Sequence, residues 1–159
     1  HARALCQARL CRRFESRSHS DAVKYLLDTN VLLHLANRVT GFRRIVKRID
    51  RLDSPEDVAI SAITAHEVHY QLLKAKVSKE RLAALAYYLA QFKALPFNAK
   101  AAREAAAVRV YLEPAGRGIG YADSLIAGHA KALNLVCVTD NVSEFDRVPG
   151  LHVENWLRS

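Results

Sequence analysis

Short apolar runs alternate with longer segments of helical period along this chain from residue 23 onward. Runs of about four residues rich in Val, Ile and Leu are typical of buried strands, and apolar residues recurring every three or four positions are typical of helices. The strands predicted in this way are residues 24–27, 58–61, 93–96, 135–138 and 151–153. The predicted helices are residues 29–36, 43–52, 63–75, 79–91, 99–112 and 121–133, with Ser78 and Asn98 as N-caps.

The order of these elements predicts an α/β fold. Strands separated by helices form a mostly parallel sheet that is covered by helices on both faces. Ligand sites in such sheets gather at the carboxyl ends of the strands. We therefore expect Asp28, after the first strand, and the cluster 139–141, after the fourth, to lie at one edge of the sheet. The helices that carry Glu67 and Asp123 can bring these two residues to the same edge.

Asp28, Glu67 and Asp123 are isolated acidic residues, each set in an apolar or small-residue stretch. A buried carboxylate costs several kcal/mol unless a positive group compensates for it, and a divalent cation is the natural candidate. Each residue also has a purely structural interpretation. Asp28 and Asp123 could cap the helices that begin beside them, and Glu67 could lie on a helix surface.

The length of 159 residues fits one domain, and half of the residues are hydrophobic. Residues 1–22 lack a clear period, and the whole chain contains no methionine and begins at His1, so this segment is interpreted as a disordered or non-native extension. An arginine-rich RNA-binding arm is the alternative. The predicted domain is residues 23–159.

Cysteine and hydropathy patterns indicate the compartment. Cys6, Cys11 and Cys137 form no metal-type pair, so we expect a reducing cytoplasm, with a Cys6–Cys11 disulfide as the less favoured alternative. No apolar run approaches the roughly 20 residues of a membrane span, so we expect no membrane partner.

The net charge of +8 indicates an anionic partner, such as a nucleic acid or an acidic protein. Residues 1–22 contribute +3 and the remainder contributes +5, so the predicted domain is basic without its extension.

Four motifs in order resemble the PIN-domain ribonucleases, and among them the VapC-type toxins of bacterial toxin–antitoxin pairs. The resemblance covers essentially all of residues 23–159. One such motif is weak, but four at plausible spacings are specific. The motifs are Leu27-Asp28-Thr29-Asn30, Ile60-Ser61-Ala62-Ile63-Thr64 leading to Glu67, Gly118-Ile119-Gly120-Tyr121-Ala122-Asp123-Ser124, and Val138-Thr139-Asp140-Asn141 followed by Glu144-Phe145.

The resemblance implies a PIN-like three-layer sandwich and a set of site residues. Asp28, Glu67 and Asp123 fall on the family's three acidic positions, and Asn141 falls on the fourth. The family pattern there is Thr, any residue, then Asp or Asn, so Asp140 stands one residue early. If the fourth ligand is a carboxylate, it would therefore be Asp140 turned into the site or Glu144 reaching into it. Otherwise Asn141 would be a neutral or water-mediated fourth ligand.

The resemblance implies cleavage of RNA phosphodiester bonds with the help of a bound divalent cation. Mg²⁺ or Mn²⁺ is the expected cation, because carboxylate oxygens suit these hard ions. Asp28 and Asp123 would bind the metal, and Glu67 would bind it or act as a base. Thr29 and Thr139 would orient the carboxylates. The resemblance further implies an antitoxin partner and a homodimer.

Three alternatives remain open. A receiver-like signalling domain also has acids and Mg²⁺ at strand ends, but it needs a lysine near the site that is not evident here. A PIN-like module that binds RNA or DNA without cleavage is the second, and a housekeeping RNA-processing nuclease is the third.

His66, His69 and His129 are assigned to packing or the surface, because no third zinc ligand accompanies them. Tyr87, Tyr88 and Phe92 are assigned to the core or to a partner contact.

Overall fold

The computed structural model describes residues 23–74, 76 and 78–158. The interpretation of residues 1–22, including Cys6 and Cys11, therefore lies outside the described residues and stays a prediction. Five strands are found in the described part: β1 Tyr25–Leu27, β2 Val58–Ser61, β3 Lys93–Leu95, β4 Val136–Val138 and β5 Val153–Glu154. The helices there are α1 Thr29–Asn37, α2 Phe42–Asp50, α3 Ala62–Lys74, α4 Lys79–Gln91, α5 Ala99–Leu112, α6 Tyr121–Leu133 and α7 Val142–Phe145, with short 3-10 turns at Pro55–Asp57 and Glu113–Ala115.

The strands form one parallel sheet in the order β3-β2-β1-β4-β5. Leu27 of β1 pairs with Ile60 on one side and with Val138 on the other, so the carboxyl ends of the three central strands are level. The chain first runs outward from β1 to β3 and then returns to add β4 on the opposite side of β1. The β1–β4 boundary is therefore the topological switch point, where open α/β sheets bind their ligands.

Two apolar clusters cover the two faces of the sheet. Leu27 packs with buried residues of α1, α2, α3 and α4, whereas the preceding Leu26 packs with residues of α5 and α6. Successive strand side chains point to opposite faces, so β1 contributes one leucine to each cluster. The predicted α/β sandwich is confirmed.

Most predicted element boundaries lie within two residues of those in the structure. The last strand begins two residues later than predicted because Gly150 adopts a φ of 70° and the Leu151 N–H bonds to the Val148 carbonyl, which holds a turn there. Helix α7 was missed, since four residues are too few to show a period.

Ser78 and Asn98 accept hydrogen bonds from the first turns of α4 and α5, as expected of N-caps. No helix in the described part of the chain is both long and apolar enough to cross a membrane.

Candidate active site

Asp28 lies at the centre of the site, directly after β1 and almost completely buried, with 2 % of its surface exposed. Its Oδ1 accepts a 2.7 Å hydrogen bond from the Thr29 N–H, and its Oδ2 accepts a 2.8 Å bond from the Thr139 hydroxyl. Asp28 is thus the N-cap of α1, as its structural interpretation predicted. Burial raises the pKa of Asp28 to about 7, against the hydrogen bonds from Thr139 and Thr29, and the nearby Asp123 and Glu67 raise it further.

Glu67 reaches the same place from the middle of α3, where it is half-buried. Its Oε2 accepts a hydrogen bond from the Thr29 hydroxyl, one residue after Asp28. The purely surface interpretation of Glu67 therefore does not describe its position, because its carboxylate points to the start of α1.

Asp123 lies in the first turn of α6, where no side chain caps the helix and Gly120 occupies the N-cap position. Its pKa is raised by burial first and then by the negative charges of Glu144 and Glu67, while a hydrogen bond with Asn141 lowers it. A methyl group on Gly120 would lie 3.0 Å from Asp123 Oδ2, so glycine leaves this carboxylate its space.

Thr139 connects the two strand ends that flank the switch point. Its hydroxyl donates to Asp28 and accepts hydrogen bonds from Asn30 Nδ2 at 3.2 Å and from the Asn141 N–H at 3.0 Å. One buried hydroxyl thereby fixes the Asp28 carboxylate relative to the loop that carries Asn141.

Asp140 does not turn into the site. Its Oδ2 lies 3.3 Å from His34 Nε2, and its Oδ1 accepts a 3.0 Å hydrogen bond from Asn155 Nδ2 and lies 3.5 Å from Arg158 Nε. These outward contacts contradict an inward-turned Asp140. Glu144 and Asn141 both interact with Asp123 and are the two remaining candidates for the fourth group.

The donor set suits a hard divalent cation, because Asp28, Glu67, Asp123 and Glu144 present carboxylate oxygens. Their negative charges help to raise the pKa of Asp28 and Asp123, and a bound cation would offset this repulsion. Within residues 23–74, 76 and 78–158, no three His, Cys, Asp or Glu side chains already form a metal-binding group. In the structure the Asp28 carboxylate accepts a hydrogen bond from the Thr139 hydroxyl, and the Glu67 carboxylate accepts one from the Thr29 hydroxyl.

Comparison with known proteins identifies the family of this chain. The family model described as PIN domain matches residues 25–151. The chain belongs to the PIN domain family. The matched range begins two residues after the predicted start of the domain, residue 23, and ends before β5.

Curated relatives of this PIN domain span nearly the same length. The chain is 34 % identical over 132 residues to Ribonuclease VapC2 of Rickettsia felis, covering 83 % of this chain and 97 % of that protein. It is 32 % identical over 136 residues to the tRNA(fMet)-specific endonuclease VapC of Shigella flexneri, covering 84 % and 98 %. Among solved structures, VapBC2 from Rickettsia felis bound to a DNA fragment from its promoter is similar, with a TM-score of 0.71 and 32 % identity, covering 83 % of this chain and 98 % of that one.

His66, His69 and His129 take surface or packing positions in this PIN domain, as expected. His66 and His69 are exposed on α3. His129 is buried, with Nδ1 2.9 Å from Ser61 Oγ and its ring 5.5 Å from that of Phe97 in a T-shaped contact, and burial lowers its pKa. Tyr88 and Phe92 pack against the apolar cluster that contains Leu27, which agrees with their assignment to the core.

Sequence reasoning missed two supports of the site. Asn30 holds the loop after β4 by donating a hydrogen bond to Thr139 and accepting one from the Asp140 N–H at 3.3 Å. Its position in the first motif, two residues after Asp28, was the sequence signal that could have identified it. The contacts of Asn155 and Arg158 with Asp140 had no such signal, because they join parts of the chain that only the fold brings together.

Proposed function

We propose that this chain is a metal-dependent endoribonuclease acting as the toxin of a VapC-type toxin–antitoxin pair, with Mg²⁺ or Mn²⁺ as cofactor. The observation that supports this most is the buried Asp28, whose pKa is raised to about 7 by burial and by Asp123 and Glu67. Such clustering of carboxylates is unfavourable for stability alone, and perturbed pKa values mark functional sites. Relatives that match this chain over nearly their whole length are named ribonuclease and tRNA(fMet)-specific endonuclease, which supports RNA as the substrate class.

The side chains divide the work by position. A bound cation lowers the pKa of a water molecule and neutralises charge on the cleaved phosphate. Asp28 and Asp123, whose charges act on each other, would hold the cation. Glu67, which is half-buried, would bind it as well or accept the proton of the attacking water. The hydroxyls of Thr29 and Thr139 orient two of the carboxylates, and Asn141 or Glu144 supplies the fourth group.

Cleavage of a labelled RNA pool that includes tRNA tests the activity. Purified protein should give discrete products with Mn²⁺ or Mg²⁺, and EDTA should abolish them. Asp28→Asn should reduce the activity by at least about 100-fold, because it removes a negative charge that would bind the cation directly. Asp53→Asn, an equal charge change at an exposed residue distant in sequence from the site, should leave it intact.

Intact RNA from folded, antitoxin-free protein contradicts the nuclease proposal and favours a PIN module that only binds nucleic acid. Products that resist EDTA contradict the metal requirement alone. Cleavage with no antitoxin gene beside this one favours a housekeeping RNA-processing nuclease.

The proposed partners follow from the same resemblance. An antitoxin should cover the acidic site and place a basic side chain against Asp28 and Asp123. Co-expression with the neighbouring gene should yield a stable complex that does not cleave RNA. Light scattering should give the mass of a dimer for the chain alone, and cell fractionation should place the protein in the cytoplasm.

A further inference from the structure

We propose that residues 38–51, which include helix α2, form the surface that holds the phosphate backbone of the RNA beside the catalytic site. This inference rests on the proposed function and specifies how the substrate is bound. Its first support is the distribution of charge. Residues 38–51 contain six basic residues and one acidic residue, a net charge of +5, which equals the charge of all of residues 23–159. The rest of the domain is neutral overall.

Helix α2 turns its cationic side chains to solvent. Ile45 and Ile49 are buried against the sheet, whereas the basic side chains of the helix and the one just after it are exposed. These exposed residues are Arg43, Arg44, Lys47, Arg48 and Arg51. Arg43, Lys47 and Arg51 are four residues apart and therefore lie in one row that is about 12 Å long.

A second row of α2 connects this surface to the catalytic loop. Arg44 Nη1 donates a 3.1 Å hydrogen bond to the Leu157 carbonyl. The next residue, Arg158, lies against Asp140, whose backbone is bonded to Asn30 beside Asp28. Arg44 and Arg158 thus connect α2 to the loop of Asp140, which is bonded to Asn30 beside Asp28.

The acidic site itself repels a polyanion, so the binding energy for RNA must come from a cationic surface outside it. Five of the six basic residues are arginines, whose planar guanidinium groups bind phosphate oxygens in pairs. The exposed residues of α2 are all charged, whereas a protein partner is usually anchored by aromatic or aliphatic side chains. The surface therefore fits a nucleic-acid backbone better than an acidic peptide.

The test replaces the outer row in the full chain and measures RNA binding apart from cleavage. On the inactive Asp28→Asn background, Arg43→Gln, Lys47→Gln and Arg51→Gln are combined, and binding of a short fluorescein-labelled single-stranded RNA of mixed sequence is followed over a salt series. The matched control combines Lys93→Gln, Lys100→Gln and Arg103→Gln, which removes the same charge from exposed positions on β3 and α5.

We expect the α2 triple variant to bind RNA at least about 10-fold more weakly at low salt, and the slope of log affinity against log salt to fall by about 2. The control should change both quantities much less. With Asp28 restored, the α2 triple variant should raise KM and leave kcat nearly unchanged, because the catalytic groups are untouched.

Equal losses in the two triple variants, or no loss in either, overturn the proposal, since net charge alone or another surface would then bind RNA. Loss of antitoxin co-purification with unchanged RNA affinity also overturns it and assigns the surface to the antitoxin. Absence of cleavage by the unaltered chain, with RNA binding still lost in the α2 variant, instead contradicts the proposed nuclease activity and leaves the RNA surface standing.

Discussion

At the scale of single residues, the site depends on short polar side chains whose hydrogen bonds are made in a dry environment. Thr139 is 1 % exposed and takes part in three hydrogen bonds, to Asp28, Asn30 and Asn141. Thr64 on α3 is also fully buried, but its hydroxyl has no hydrogen-bond partner among the described residues. Substitutions at the two threonines therefore distinguish the effect of burying a hydroxyl from the effect of the hydrogen bonds that the hydroxyl makes.

Thr139→Val should lower the free energy of unfolding by about 2 kcal/mol, because it leaves buried polar partners without their bonds. It should also reduce cleavage by about 10- to 100-fold, since Asp28 loses its orienting donor. Urea unfolding and single-turnover cleavage measure the two effects. Thr64→Val, the control, should be neutral or stabilising, and a similar loss in both variants would contradict the role given to the Thr139 hydroxyl.

At the scale of elements, the packing of α5 against α6 sets the position of Asp123. Gly128 of α6 faces Ala105 of α5 so closely that a methyl group on Gly128 would lie 2.3 Å from the Ala105 nitrogen and 2.4 Å from its Cα. Backbone atoms cannot yield as a flexible side chain can, so the helices would have to move apart. Asp123, in the first turn of α6, would move with them.

Gly128→Ala should therefore destabilise the fold by about 2–3 kcal/mol through overpacking, although alanine favours helix in isolation. Activity should fall in the molecules that remain folded. Gly118→Ala is the control, because a methyl group there meets nothing within 4 Å. Thermal unfolding followed by circular dichroism gives the comparison, and an unchanged midpoint for Gly128→Ala would show that the two helices can separate without cost.

The elements also show how far the sequence alone could lead. The alternation of apolar runs with helical periods was enough to predict the α/β sheet, and the motif order was enough to identify the family of the strand-end acids. The direction of Asp140 was beyond prediction, because it is decided by Asn155 and Arg158 at the far end of the chain. Helix α7 was missed because its single buried anchor, Phe145, gives no period.

At the scale of the whole molecule, charges of opposite sign are concentrated in different parts of the chain. Carboxylates gather at the carboxyl ends of β1 and β4, and residues 38–51 carry a charge equal to the whole net positive charge of residues 23–159. The acidic group lowers stability in the absence of a cation, since its members repel one another in a buried site. Binding of a cation by the folded state should offset this effect, because only the folded chain assembles the donors.

The sign of the resulting pH dependence follows from Asp28. Its pKa is near 7 in the folded state and near 3.8 when exposed, so between these values the folded chain binds a proton that the unfolded chain has lost. The free energy of unfolding without metal should therefore fall as pH rises from about 4 to about 7, by up to about 4 kcal/mol. Asp123, whose pKa is also raised, acts in the same direction.

Mn²⁺ should reverse this slope, because the ion binds the deprotonated carboxylates and stabilises the fold more as pH rises. Urea unfolding at about pH 5 and about pH 8, with EDTA or with Mn²⁺, gives the four free energies required. Asp28→Asn should show a shallower slope in EDTA and little stabilisation by Mn²⁺, and Asp53→Asn should behave as the unaltered chain does. Stabilisation by Mn²⁺ that survives in Asp28→Asn would place the cation elsewhere, and a flat profile in EDTA would show that Asp28 ionises in the folded state as readily as in water. Because both slopes are set by the same buried carboxylate, a single series of unfolding curves tests the metal site and the origin of its instability together.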